Sequence, residues 1–211
     1  MAIDVQYRGD NDDSGPSDGV WFDVDLQDHP KKMVHVYEDF TGISDLALVG
    51  TTELITDLVG GGVNIKASSD AVDSRFAFKL ADNKDLTFEA RVKPVSAAAF
   101  NCGLQDTGGT SRITFEVAAN SAVLHHDNAV ADDIIATQAI DAATWVKLGF
   151  RVRGSGDDTE FTGYADGVKI ASAKLGDMTA AAVASTIMKV SIVSSDTPDI
   201  AVDWVRVAQL R

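Results

Sequence analysis

The residues able to do chemistry in this 211-residue chain are few, and their spacing decides what they can do together. His125 and His126 are adjacent, and neighbouring strand residues point to opposite faces, so the two cannot hold one metal ion between them. No third ligand lies at a useful spacing, and a surface or hairpin role is expected for both. The acidic pairs Asp12-Asp13, Asp132-Asp133 and Asp157-Asp158 offer oxygen ligands of the kind calcium takes. None forms an Asp-x-Asp-x-Asp-Gly loop, so solvated loop charge is expected. Glycoside cleavage needs paired carboxylates on one strand face, Glu-x-Asp-x-Glu in type. The nearest match, Asp23 and Asp25 in "WFDVDLQD", lacks a glutamate to act as the acid, while Glu89 and Glu116 stand singly on separate strands and are read as facing solvent. Cys102, the one cysteine, sits in the apolar "AAFNCGL" as a small core residue without a disulfide partner. Arg8-Gly9-Asp10 spells an adhesion tripeptide, read here as chance, and the glycines of "GLQDTGG" and "VGGGV" do not open helices, so they read as bends and not as phosphate cradles. No catalytic residue, cofactor or metal ligand is expected.

The elements that would position these residues are strands. In "LTFEARVKP", Leu86, Phe88, Ala90 and Val92 alternate with Thr87, Glu89, Arg91 and Lys93, the period of a half-buried strand. "RFAFKL" with Phe76, Phe78 and Leu80, "RITFEV" with Ile113, Phe115 and Val117, and "WVKLGFRVR" with Val146, Leu148, Phe150 and Val152 repeat the pattern. "RGSGDD" and then Asp166-Gly167, a pair suited to a type I′ turn, separate three strands that should run antiparallel in succession. "LGDMTAAAVASTIM" is the one helical candidate, short enough to be a loop or a single helix. Strands at intervals of about ten residues predict an all-β, antiparallel two-sheet sandwich. The final stretch "IAVDWVRV" is apolar on both faces, with Ile200, Val202 and Trp204 on one side and Ala201, Val205 and Val207 on the other. Such a strand belongs inside a sheet, paired with the first strand of the body around "VHVYEDF".

The division expected is an extended N-terminal arm, 1–36, and a sandwich domain, 37–211. The arm is broken by "GDNDDSGPSDG" but carries Tyr7, Trp21 and Phe22, aromatic anchors for a partner surface. Trp145 and Tyr164 are the body's candidates for stacking on a sugar ring. With 32 acidic against 18 basic residues the net charge is −14, which argues against nucleic-acid and anionic-membrane partners. The start lacks a basic and then apolar leader, and no apolar run approaches the roughly 18 residues of a membrane span. Assembly in the cytoplasm is expected.

In order, "YEDFTG", "FEARVKP", "GLQDTGG", "WVKLGFRVRG", "YADGVKIAS" and "VDWVRVAQLR" resemble the concanavalin A-like, laminin-G-like jelly roll. The version most similar is that of tailed-phage virion structural proteins, and the likeness covers Tyr37 to Arg211. The resemblance implies a non-enzymatic component of the capsid surface, a decoration or cement protein bound to major capsid protein, as a homotrimer. The other reading it allows is a lectin-like module that binds a surface glycan.

Overall fold

Alternating apolar positions give each strand one face for an interior, and two sheets built this way close on each other. The computed structural model describes residues 33–210 apart from short loop stretches, the longest being 41–45, 180–186 and 195–199. One sheet holds β1 (Met33–Glu38), β3 (Glu53–Leu54), β4 (Val63–Ile65), β6 (Leu86–Pro94), β11 (Val146–Arg153), β12 (Glu160–Ala165), β13 (Val168–Lys174) and β15 (Ile200–Leu210). The other holds β2 (Leu46–Val49), β5 (Ala71–Lys79), β7 (Phe100–Gln105), β8 (Ser111–Ala118), β9 (Ser121–Asn128), β10 (Asp132–Ala139) and β14 (Ile187–Ser194). The eight-stranded sheet runs β13-β12-β11-β6-β15-β4-β3, with β1 also on β15; the seven-stranded sheet runs β10-β9-β8-β7-β14-β5-β2. All these pairings are antiparallel. The all-β two-sheet sandwich is therefore present as the alternation requires.

Between the sheets, Leu86, Phe88 and Phe150 from one side meet Cys102, Phe115 and Ile192 from the other. Phe88 and Phe150 stack with ring centroids 5.1 Å apart. Each fully enclosed phenylalanine stabilises the fold by roughly 1.5–3 kcal/mol. Asp166 and Gly167 have φ of 49° and 82°, the left-handed pair of a type I′ turn, and they join β12 to β13. Among the described residues the helical candidate amounts to one short 3-10 turn, Leu175–Asp177.

β1 pairs with β15, Met33 opposite Leu210 and Glu38 opposite Val205, so the expected closure by the last strand holds. β1 lies astride the expected 36/37 boundary. The faces of β15 differ from strict alternation. The register against β6 shifts between Val202 and Trp204, where Asp203 is the extra residue of a β-bulge. Ile200, Val202, Val205 and Val207 thereby all turn inward, while Ala201, Trp204 and Ala208 take the outer side. Tyr7, Trp21, Phe22, the Arg8-Gly9-Asp10 tripeptide, Asp12-Asp13 and Asp23/Asp25 lie outside the described residues, as do the side chains of Phe76 and Leu80.

Candidate functional site

The outer face of the seven-stranded sheet is polar at its centre. In β8, Ile113, Phe115 and Val117 point inward, which leaves Arg112, Thr114 and Glu116 pointing out. Across β7, Arg112 faces Gln105, Thr114 faces Gly103 and Glu116 faces Asn101; beyond it, β14 sets Lys189 beside Gln105 and Ser191 beside Gly103. The result is a floor of short residues, Gly103, Thr114 and Ser191, rimmed by amides and charges. A side chain at Gly103 has no space, because its Cβ would stand 2.3 Å from the Ile113 carbonyl oxygen and 2.8 Å from Thr114 Cα. Gln105 Nε2 donates to Ser191 Oγ at 2.8 Å. Asn101 Oδ1 and Thr114 Oγ1 are buried and find no hydrogen-bond partner in the protein. Each such group costs about 1–3 kcal/mol until it is satisfied.

At the β9–β10 side of this sheet the two histidines part, as adjacent strand residues must. His125 faces out, its Nδ1 2.9 Å from Asp132 Oδ1. His126 was expected at the surface; instead it points into the core at 1 % exposure, its ring 4.8 Å from that of Phe161. The correction has a simple origin, since His126 occupies the inward parity shared by Leu124 and Ala122. Burial holds its imidazole below the ordinary range, against the opposing pull of Asp133, Asp127 and Asp132. Asp127 and Asp132 face one another across the strands, but Arg112 lies 3.2 Å from Asp127 and His125 holds Asp132. Glu116 is the one carboxylate on the outer face of β8 and is exposed. Among the described residues no group of three or more His, Cys, Asp or Glu side chains could hold a metal ion.

The outer face of the eight-stranded sheet is different in character. β6 sets out Arg91 and Lys93, β11 Lys147, Arg151 and Arg153, β13 Lys169 and Lys174, and β15 Arg206. On the same strands the outward acids are Glu89, Glu160 and Asp203. Glu89, expected in solvent, is buried under an ion pair with Arg206, whose Nε donates to its Oε2 at 2.6 Å. Arg91 Nη1 reaches Asp203 Oδ2 at 2.5 Å, and Arg151 Nη2 reaches Asp85 Oδ2 at 2.5 Å. Trp145 and Tyr164 both belong to this face. Tyr164 is opposite Gly149, four residues along β11 from Trp145, so the rings stand roughly 13 Å apart along the strand direction and form no joint platform. Arg91 and Lys93 each lie 5.1 Å from the Trp145 ring, and Arg206 lies 4.9 Å from that of Trp204. Cations thus occupy the faces of both indoles.

Of the other expected sites, Cys102 is buried in the core, and its burial pushes the thiol far up. Asp158 of the 157–158 pair is bound by Lys174 at 2.8 Å, which holds it below the usual carboxylate range. Asn101, Gln105, Thr114 and Ser191 are the residues that sequence reasoning missed. They are two residues of β7 and one each of β8 and β14, and only the strand order β8-β7-β14 makes them neighbours.

No protein-family model matches the chain, and a search of curated proteins finds no relative. Solved structures do match in shape. The endo-1,3-beta-glucanase from Streptomyces sioyaensis superposes with a TM-score of 0.56 at 14% identity, over 86% of this chain and 98% of its own. The Emp47p carbohydrate recognition domain gives 0.60 at 8% identity, over 83% and 96%. The fold is that of a concanavalin A-like sandwich. The binding domain of Botulinum neurotoxin DC in complex with SialylT adds a TM-score of 0.54 at 10% identity, over 77% of this chain and 42% of that one. At these identities the sandwich shares its architecture with the three, and the roles of its residues rest on its own geometry.

Proposed function

We propose that this sandwich is a non-catalytic, lectin-like module that binds a glycan on the outer face of its seven-stranded sheet. The carrying observation is the pair of unpartnered groups, Asn101 Oδ1 and Thr114 Oγ1, set on adjacent strands beside the bare backbone of Gly103. A ligand dense in hydroxyls matches such a floor, since each hydroxyl donates and accepts. Asn101 Oδ1 accepts from one sugar hydroxyl, Thr114 Oγ1 exchanges with another, and Glu116 and Gln105 close the rim. The ligand parts the longer rim side chains to reach Thr114, which lies beneath them. β8 presents Arg112, Thr114 and Glu116 in place of the row of acids that hydrolysis would need, and the facing Asp127 and Asp132 on β9 and β10 are already held by Arg112 and His125. That three architectural neighbours include a carbohydrate recognition domain and a SialylT-bound toxin domain supports the choice of ligand class.

A glycan array probed with the labelled protein is the test. Binding to a defined set of bacterial surface sugars is expected, with Asn101→Ala and Thr114→Val each weakening it at least tenfold and leaving the thermal midpoint within a few degrees. A blank array removes the reading, and so does binding that both variants retain in full.

A second reading, the virion decoration protein of the resemblance, is favoured by one further observation. Ile134 on edge strand β10 and Val168 on edge strand β13 are 65% and 66% exposed, and these two edge strands contact each other. Unpaired edges with apolar side chains suit a lattice or a homotrimer contact. Cosedimentation with particles of the major capsid protein that Ile134→Lys/Val168→Lys abolishes is the expected result; no association at any protein ratio defeats it.

A further inference from the structure

At its centre the outer face of the eight-stranded sheet is more deeply buried than that of a bare sheet, even with Arg206 over Trp204 and paired to Glu89. On a bare sheet the long outward side chains are the exposed ones, and the seven-stranded sheet behaves so, with Glu116 and Lys189 exposed above short, buried Thr114 and Ser191. On the eight-stranded sheet Arg153, Lys169 and Lys174 are exposed in the same way, but long groups nearer its centre are buried. Trp204, Arg151 and Glu89 point outward yet keep only 9%, 7% and 3% exposure. Thr87, Thr162 and Ala208, between them in the register, are buried as well. No described strand or helix forms a third layer there.

We infer that residues 1–32 of the same chain dock across this face. Charge, exit point and length all favour that occupant. The face carries eight basic and three acidic side chains on β6, β11, β12, β13 and β15, an excess of five positive charges in a protein of net charge −14. Residues 1–32 contain eight aspartates against Arg8, Lys31 and Lys32, an excess of five negative charges. β1 begins at Met33 opposite Leu210, so the preceding residues leave the sheet at the end where Arg151 meets Asp85, beside the buried patch. At roughly 3.3 Å per residue the segment can reach about 100 Å, against some 24 Å for five adjacent strands. Lys93 and Lys147, outward on β6 and β11, are the amines of this face that the segment's carboxylates are expected to reach.

The test is zero-length carbodiimide coupling of carboxylates to amines in the full chain, read by mass spectrometry, in an equal mixture of 15N-labelled and unlabelled protein. The Asp158–Lys174 pair, 2.8 Å apart, serves as the internal control. Expected are links from Asp18, Asp23, Asp25 or Asp28 to Lys93 or Lys147, each within chains of a single isotope. Control links without arm links overturn the inference, and arm links of mixed isotope overturn its intramolecular form. As a second measurement, Lys93→Glu/Lys147→Glu is expected to speed tryptic cleavage at Lys31 and Lys32 at least tenfold while the body melts within a few degrees of the parent. An unchanged cleavage rate counts against the docking.

Discussion

His126 makes the interior sensitive to acid. Its ring lies against Phe161, and burial disfavours the imidazolium although Asp133, Asp127 and Asp132 favour it. The unfolded chain takes up a proton near the ordinary value of 6.5, whereas the folded protein resists doing so until lower pH. The stability this residue contributes is therefore complete above that pH and is lost as the pH falls below it. Thermal melts between pH 7 and pH 5 should show the parent midpoint declining more steeply than that of His126→Phe, which keeps the ring contact and cannot be protonated. Parallel slopes would assign the acid response to carboxylates instead.

The element on which the sheet turns is β15. Its bulge at Asp203 lets Val202 and Val205 both face the core, and it sends the Asp203 carboxylate out to Arg91. Deleting Asp203 leaves Val202, Trp204 and Val205 in strict alternation against the β6 partners they already have, so the inward face is kept and what is lost is the carboxylate that Arg91 holds. The expected outcome is a cooperative transition within about 2 kcal/mol of the parent, read by urea titration of tryptophan fluorescence; loss of cooperative folding would show that the bulge itself is needed. This element also marks how far sequence reading goes. The strands, the Asp166-Gly167 turn and the pairing of last strand with first were legible because period-two alternation and turn chemistry are local. The bulge was not, since "AVDWVRV" alternates equally well with or without an extra residue, and only the partner β6 fixes where it falls. Likewise the polar floor of Asn101, Gly103, Thr114 and Ser191 is assembled by strand order, which no single strand encodes. Glu89 was misplaced for a related reason: parity tells which way a side chain points, but not what else covers it.

Taken whole, the molecule is held by contacts between residues far apart in the chain. β15 lies between β6 on one side and β4 and β1 on the other, so its removal exposes three strand edges and takes Ile200, Val202, Val205 and Val207 out of the core. A chain ending at residue 199 should show no cooperative unfolding transition, by near-ultraviolet circular dichroism or by fluorescence of the remaining Trp21 and Trp145, and a retained transition would mean that the seven-stranded sheet carries the fold. Pairings such as Thr87 with Ala208 close loops of more than a hundred residues, so refolding is expected in the millisecond to second range. The antiparallel meeting of β1 and β15 has an engineering consequence. Met33 and Leu210 are cross-strand neighbours, roughly 5 Å apart at Cα. A few glycines could splice residue 210 to residue 33, and new ends cut into the Asp166-Gly167 hairpin tip would give a circular permutant that keeps every strand in place. By the same geometry, the sandwich could be grafted into a surface loop of a host protein without prying that loop open.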